Sequence, residues 1–215
     1  AGVDTEEFRP AGIRPNSLRR RLGIPDEAVA FACVAQLVPV KGHKVLLEAF
    51  RGVANTHLLL AGDTTDDQYR EELVRLSQTE GLRGRVHFLG SVRDVRQVLH
   101  ESDAFVLPTL NTGRGEAFGV ALIEAMSCGL PCIASDTDGP REIIEPERSG
   151  FIVRAGDVAA LAGAVQAICS SPELRQRLGH EARERVIRDF SLEEEVRKTQ
   201  EVYERLGAQS DGRRA

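Results

Sequence analysis

The chain has 215 residues, of which 41% are hydrophobic and 28% are charged, the size and composition of a globular protein with one large core. The formal net charge is −5, and no block of about five or six basic residues occurs, so we expect no nucleic-acid partner. The sequence contains no run of about 18 apolar residues, so no transmembrane segment is predicted.

Strand-like and helix-like segments alternate from residue 28 to residue 170. Continuous apolar runs are typical of strands buried on both faces, and they cover residues 28–37, 57–61, 86–89, 104–107, 131–135 and 151–153. Helical spacing of apolar residues is found at 14–22, 41–54, 67–78 and 94–100 and after residue 118, with a single turn at 141–144. This alternation predicts an α/β fold with a doubly wound, mostly parallel sheet and helices on both faces.

Capping residues delimit the predicted helices. The candidates are Asp94, Asp157, the pair Ser171-Pro172, and the capping box Ser191-x-x-Glu194. After residue 153 the chain is predicted to be helical, and the last helix is expected to end near Leu206. We therefore predict one domain over residues 1–206 and a frayed polar tail at 207–215.

The cysteines and histidines show no metal-binding spacing. No Cys-x-x-Cys pair occurs, so we predict reduced cysteines that act as small hydrophobic side chains in a cytosolic protein: Cys33, Cys128, Cys132 and Cys169. A zinc site is the alternative, and no ligand spacing supports it. The histidines also lack ligand spacing: His43, His57, His87, His100 and His180.

The stretch from Thr112 to Met126 is the strongest functional signal. It follows the strand at 104–107 as a glycine-containing loop and continues into an apolar helix, the arrangement that binds phosphate through backbone N–H groups and the helix dipole. Glu116 and Glu124 frame it, and their spacing corresponds to roughly 10 Å along a helix. This separation is comparable to the reach of a ribose-diphosphate-sugar, and a diphosphate at residues 118–121 would then have one carboxylate near each end.

Seven segments resemble the donor-binding domain of retaining, family-4-type glycosyltransferases, also called glycosyl transferases group 1. In order along residues 1–206 they read GVDTEEFRP, QLVPVKGHKVLLEAF, LLLAGD, VHFLGSVRDV, SDAFVLPTL, GEAFGVALIEAMSCGLPCIASDTDGPREII and SGFIV. The resemblance implies the GT-B architecture, in which two Rossmann-like domains face each other across a cleft. This chain would be the C-terminal, nucleotide-sugar-binding half.

The resemblance also implies a reaction. The donor would be a UDP- or GDP-sugar, and a hexosyl group would pass to an acceptor hydroxyl with retention at the anomeric carbon, without a metal or other cofactor. The implied role is in polysaccharide or glycolipid biosynthesis in the cytoplasm, with peripheral contact to the inner face of the plasma membrane through the N-terminal acceptor-binding half. That half is missing from this sequence, so we expect residue 1 to lie at the junction and the chain alone to be nearly inactive.

Two side chains after the first strand are expected to meet the diphosphate. Lys41 matches a family lysine that stabilises the departing diphosphate, so we predict a catalytic and donor-binding role; a solvated lysine at a helix start is the alternative. Gln36 is predicted to bind the donor through its amide, although it stands where the family usually has arginine and so removes one phosphate-binding cation. Arg114 is a candidate replacement for that charge, and an exposed loop arginine is its alternative reading.

The resemblance assigns the residues of the central stretch as well. Glu116 matches the catalytic acid that contacts the donor sugar near the reacting carbon; complementing the helix dipole is its alternative role. Glu124 matches the acid that binds ribose hydroxyls, and an acid inside an apolar helix face is costly without a partner. Donor contacts are expected at Ala117 and, through backbone N–H groups at the helix start, at Phe118, Gly119, Val120 and Ala121.

Two further loops are assigned by the resemblance. Gly90, Ser91 and Val92 are expected to line the base pocket, with a simple strand-to-helix turn as the alternative. Asp136-Thr-Asp138 carries the Asp-x-Asp pattern that binds metal in the other glycosyltransferase architecture. Here we expect its two acids to cap the turn at Arg141 rather than to hold a metal.

Two other functions stay open on the sequence alone. A sugar-nucleotide epimerase or phosphorylase of the same architecture would use different catalytic groups, and the EAFG…E helix argues against it. A non-catalytic nucleotide-binding module is suggested by the uncharged Gln36. The donor base, the transferred sugar and the acceptor depend on pocket shape, which the sequence does not specify.

Overall fold

A single sheet organises the computed structural model, which describes residues 2–112 and 118–211, with side chains to residue 205. Its strands, within the described residues, are β1 (Val29–Val34), β2 (Thr56–Ala61), β3 (Val86–Gly90), β4 (Ala104–Leu107), β5 (Cys132–Ser135) and β6 (Gly150–Val153). They pair in the order β3-β2-β1-β4-β5-β6, and every neighbouring pair is parallel. The predicted doubly wound parallel sheet is confirmed, and its order is that of Rossmann folds.

Helices connect the strands and cover both faces of the sheet. They are α1 (Ser17–Leu22), α2 (His43–Arg51), α3 (Asp67–Ser77), α4 (Val95–His100), α5 (Val120–Ser127), α6 (Asp138–Ile143), α7 (Val158–Ser170), α8 (Pro172–Asp189) and α9 (Leu192–Asp211). One core cluster joins the sheet to α4, α5 and α8, and the other joins it to α2, α3 and α7. Among the helices of the described ranges, none has both the length and the apolar character that crossing a bilayer requires.

Burial on both faces explains why the strands read as continuous apolar runs. In β1, Ala32 faces one core cluster, whereas Phe31 and Cys33 face the other. All three are almost inaccessible to solvent. Full burial of a side chain such as Phe31 stabilises the fold by about 1.5–3 kcal/mol, so both faces of the strand select apolar residues.

Several predicted helix starts are confirmed by capping hydrogen bonds. The Asp94 carboxylate accepts from the Arg96 N–H at 3.0 Å, and the Asp157 carboxylate accepts from the Ala160 N–H at 2.9 Å. The Ser171 hydroxyl caps α8, which has Pro172 at its first position. The capping box at Ser191 is only half formed: its hydroxyl accepts from the Glu194 N–H, but the Glu194 carboxylate pairs with a neighbouring arginine.

Several predicted boundaries were wrong. The strand predicted at 28–37 is β1, which ends at Val34, and the helix predicted at 14–22 is α1, which begins at Ser17. The helix predicted from residue 41 begins at His43, after a 3-10 turn at Pro39–Lys41 that ends on Gly42 in the left-handed region. The predicted turn at 141–144 is α6, which already begins at Asp138. The last helix continues to Asp211 instead of ending near Leu206. One glycine inside a helix costs only about 1 kcal/mol, so Gly207 does not end α9.

Candidate functional site

The order of strands reverses between β1 and β4, and the loops that follow these two strands are tied together. The Val40 carbonyl accepts a hydrogen bond from the Leu110 N–H at 2.7 Å. Gly42 has φ of +71°, and a Cβ atom there would lie 2.0 Å from the Pro108 carbonyl oxygen. Because only glycine permits this approach, the loop that carries Lys41 is held against the loop after β4.

The N-terminus of α5 lies at the same edge of the sheet. Its N-cap is Gly119, which has φ of +95° and provides no capping side chain. The Gly119 carbonyl accepts from the Leu122 N–H at 2.9 Å and from the Ile123 N–H at 3.3 Å, and the bond from Ile123 starts the α-helical hydrogen-bond pattern. Within the described residues, the first-turn N–H groups of α5 therefore have no N-cap side chain, as is usual where a helix binds an anion.

One cavity brings these two loops together. It has a volume of about 350 Å³, and the residues that line it come from the β1 end, the β1–α2 loop, the β4 end and the start of α5: Val34, Ala35, Gln36, Lys41, Leu107, Phe118, Gly119, Val120 and Ala121. The structure thus places six of the sequence-predicted donor-binding residues around one space. Among the described residues that line it, Lys41 is the only one with a charged side chain.

Glu124 lies farther along α5 and does not line this cavity. It is half-buried, and its carboxylate accepts no hydrogen bond from any residue in the described ranges. Burial raises the pKa of Glu124, and the nearby Glu7 carboxylate raises it further. Glu7 itself pairs with Arg96 of α4 at 3.1 Å. Glu124 is therefore a partly desolvated acid, and a hydroxyl-bearing ligand could donate to it.

The predicted base-pocket residues lie at the end of β3 and are not brought into the Lys41 cavity. Gly90 has φ of +66°, and its carbonyl accepts from the Gly62 N–H at 2.9 Å. Val92 packs on the core cluster beneath α5, whereas Ser91 is exposed. Arg114, Glu116 and Ala117 lie outside the described residues, so their predicted roles stay predictions.

The expectation that Asp136 and Asp138 cap the following turn was wrong. The N-cap of α6 is Thr137, without a side-chain capping bond. Asp136 instead accepts from the Ala155 N–H at 2.9 Å and pairs with Arg141 at 3.2 Å, because β6 ends beside β5 and places its loop within reach. Asp138 is the first residue of α6 and points outward. Within the described residues, no group of three or more His, Cys, Asp or Glu side chains is arranged to hold a metal.

The sequence belongs to a described family. A model of the glycosyl transferases group 1 family matches residues 16–185. The chain is a member of that family. The match contains both loops and the α5 N-terminus that form the cavity, so the geometry and the family assignment concern the same residues.

Several bacterial glycosyltransferases are similar in sequence to this group 1 domain. The putative glycosyltransferase EpsD of Bacillus subtilis is 30% identical over 207 residues, which are 94% of this chain and 52% of EpsD. A GDP-mannose-dependent phosphatidylinositol monomannoside mannosyltransferase of Corynebacterium glutamicum is 31% identical over 203 residues, 90% of this chain and 52% of its own length. The chain therefore spans about half the length of these relatives.

A solved structure shows the same fold with a nucleotide. HepE of Anabaena, in complex with UDP and glucose, superimposes with a TM-score of 0.84 at 25% identity, covering 96% of this chain and 55% of HepE. This agreement confirms that the group 1 domain has the Rossmann-like fold of one GT-B half.

His43 is a residue of the glycosyltransferase domain that sequence reasoning missed. It begins α2, is fully buried, and lies with Nε2 4.0 Å from the Cys33 sulfur. Burial lowers the pKa of His43 to about 4; the Val38 carbonyl opposes this shift, and the charge of Lys41 adds to it. The ring is therefore neutral at pH 7. Its position two residues after Lys41, at a predicted helix start, was the signal available in the sequence.

Proposed function

We propose that this chain is the donor-binding domain of a metal-independent, retaining glycosyltransferase. In this proposal the diphosphate of a UDP- or GDP-sugar occupies the cavity between Lys41 and the start of α5. The observation that carries the proposal is the convergence of a lysine and a helix N-terminus with glycine at its N-cap, at the strand-order reversal. Open α/β sheets bind their ligands at such a point.

The proposed roles follow from the charge that develops in the reaction. When the bond between sugar and diphosphate breaks, negative charge accumulates on the diphosphate, and groups already aimed at that charge stabilise the transition state. Lys41 supplies the positive charge, and the N–H groups of residues 119–121 supply dipoles. Gln36 contributes a neutral hydrogen bond. The acceptor hydroxyl attacks from the face that the diphosphate leaves.

In this proposal the two acids of the central stretch contact the two ends of the donor. Glu124 would accept hydrogen bonds from ribose hydroxyls, which its partly desolvated carboxylate favours. Glu116 would contact the transferred hexosyl group. Gly90 to Val92 would contact the base from the end of β3. GDP-mannose in the name of the Corynebacterium relative, and UDP in the HepE complex, support both nucleotides as candidates.

The acceptor would be held by the half of the enzyme that corresponds to the remaining length of the relatives. We infer a role in polysaccharide or glycolipid biosynthesis on the cytoplasmic side of the membrane, with membrane contact made through that other half. The present chain alone should bind the donor and transfer little sugar.

Calorimetric titration with UDP, GDP and ADP tests the proposal, with Lys41→Ala as the variant. A hydrogen bond to a charged group contributes about 1.5–3 kcal/mol, so we expect Lys41→Ala to weaken nucleotide binding about 10- to 100-fold. Lys44→Ala is the matched control, because Lys44 pairs with Glu72 at 2.6 Å and does not line the cavity. Equal affinities of the two variants, or no heat with wild type, would contradict the proposal.

A non-catalytic nucleotide-binding module is the second candidate. It is favoured by the single charged side chain among the described residues that line the cavity, since Gln36 is neutral. Slow release of glucose from UDP-glucose, or of mannose from GDP-mannose, would separate the two. A transferase domain activates the sugar bond, so release should fall in Lys41→Ala, whereas a binding module should leave the donor intact.

A further inference from the structure

A second cavity adjoins the one that holds Lys41. It has a volume of about 430 Å³, within the range of small-ligand sites. The two cavities share Val34, Ala35 and Gln36 as lining residues, so both lie beside the end of β1. The opposite wall of the second cavity is the loop after β2, from Gly62 to Thr65.

The walls of the second cavity are held close together by backbone contacts. Gly62 has φ of +152°, and a Cβ atom there would lie 2.0 Å from the Ala35 carbonyl oxygen. The Leu37 N–H donates to the Asp63 carbonyl at 3.0 Å. The loop after β2 is therefore fixed against the end of β1 before any ligand arrives, and a preformed site loses little affinity to ordering.

The chemistry of the second cavity differs from that of the first. Its described lining contains a carboxylate, two hydroxyls and an amide, from Asp63, Thr64, Thr65 and Gln36, and no lysine or arginine. Asp63 Oδ1 accepts from the Thr64 N–H at 2.9 Å, and its Oδ2 receives no hydrogen bond from the described part of the chain. This set suits sugar hydroxyls, which donate to carboxylates and accept from amides.

The neighbouring helix start does not make this cavity an anion site. The N-terminus of α3 is capped by the Asp66 carboxylate, which accepts from the Tyr69 N–H at 2.9 Å. Asp67 adds a further negative charge in the first turn. A phosphate group in the second cavity would lie against the Asp63 carboxylate of its lining, and like charges at short distance repel. An anionic ligand group is therefore disfavoured here.

We propose that this second cavity, the hydroxyl pocket (Gln36, Asp63, Thr64 and Thr65), binds an uncharged, hydroxyl-rich group of the sugar nucleotide. The inference rests on the proposed function, because the diphosphate in the Lys41 cavity brings its attached groups to the shared wall at Gln36. Two parts of the donor have this chemistry, the ribose and the transferred sugar. Asp63 accepts hydrogen bonds from their hydroxyls, and Gln36 contacts the junction with the diphosphate.

Calorimetry with three probes tests the inference: pyrophosphate, UDP and UDP-glucose, with GDP and GDP-mannose titrated in parallel. The test variant is Asp63→Asn. Hydrogen bonds to a charged acceptor are about twice as strong as those to a neutral one, so we expect roughly tenfold weaker binding of the hydroxyl-bearing probe. Pyrophosphate affinity should stay constant or rise, because a negative charge is removed.

A control variant and a second test variant distinguish the effect of losing a negative charge from the effect of losing a hydrogen-bonding group in the pocket. Asp67→Asn removes the same charge nearby without touching the cavity, so it should leave all affinities within about twofold. Thr65→Val removes a hydroxyl from the pocket without altering charge, and it should weaken the same probe as Asp63→Asn.

The pattern across probes decides between the outcomes. A loss seen only with UDP-glucose or GDP-mannose assigns the pocket to the transferred sugar, and a similar loss with UDP and GDP, which share the ribose but differ in the base, assigns it to the ribose. A loss with only one of two nucleotides that both bind wild type points to the base and overturns the inference. An equal loss with pyrophosphate, or a loss no greater than that of Asp67→Asn, overturns the inference while the Lys41 site stands. If wild type binds no nucleotide, the proposed function and the hydroxyl pocket fail together.

Discussion

Replacing Gly42 with alanine should show how strongly the cavity depends on one close backbone approach. Alanine in the left-handed region costs about 1–2 kcal/mol. In addition, its Cβ atom would lie 2.0 Å from the Pro108 oxygen, so the loop must move by about 1 Å or more to restore an ordinary contact. Forcing an atom into a packed site costs about 1–3 kcal/mol. We therefore expect Gly42→Ala to destabilise the protein by about 2–5 kcal/mol.

The assay is urea unfolding, together with the nucleotide titration described above. Gly23→Ala is the matched control, because Gly23 also has positive φ, +67°, but its Cβ would meet nothing within 4 Å. Gly23→Ala should lower the free energy of unfolding only by the cost of placing alanine in the left-handed region, about 1–2 kcal/mol, and it should leave nucleotide binding unchanged. Gly42→Ala should also weaken nucleotide binding, because the loop that moves carries Lys41. If the two variants unfold at the same urea concentration, the close approach of the two loops does not hold the cavity in place.

Two further predictions concern buried ionisable groups. Burial tends to raise the pKa of Asp103, but hydrogen bonds from Arg14, the Ala30 N–H and Arg19 outweigh it and lower the pKa. The stability that this carboxylate contributes is therefore present above its unfolded pKa, near 3.8, and is lost as the pH falls through the lower folded value. Asp103→Asn should lower the free energy of unfolding by about 3 kcal/mol at pH 7, measured by urea unfolding, and should reduce the loss of stability at acidic pH. Asp26→Asn is the control, because Asp26 makes an exposed hydrogen bond with Asn16, and it should change neither quantity. Folding lowers the pKa of His43 from 6.5 to about 4. As the pH falls, the unfolded state therefore binds a proton at a higher pH than the folded state does, and stability is lost between pH 6.5 and 4. His43→Phe should remove up to about 3 kcal/mol of that pH dependence, and an unchanged slope between pH 7 and 4 would show that His43 is not the group responsible.

Local structure was readable from the sequence wherever one rule dominated. The strand predicted at 104–107 is β4 without change, because a strand buried on both faces must be apolar at every position. Helix starts at Asp94 and Asp157 were readable because a cap is decided by residues within one turn. The prediction for Asp136 was wrong because its partner, Ala155, belongs to the next strand connection, which no local pattern reveals.

For the candidate site, too, the sequence indicated some features and only the structure revealed the others. The sequence showed which residues carry suitable chemistry, Lys41 and the start of the helix at Val120 among them, because charge and helix position are properties of short segments. It could not show that Gly90 to Val92 lie outside the Lys41 cavity, or that His43 is buried beside Cys33. Those facts depend on how the connections wrap around the sheet.

The alternation of strand and helix, the apolar faces and the phosphate-type loop were thus determined by the sequence itself, since each follows from residues close together in the chain. Only the tertiary structure decided that Lys41 and Phe118 share one cavity and that Gln36 lines both this cavity and the pocket at Asp63. The physical reason is that β1 has β2 and β4 as neighbours, and this pairing is set by the packing of helices on both faces of the sheet.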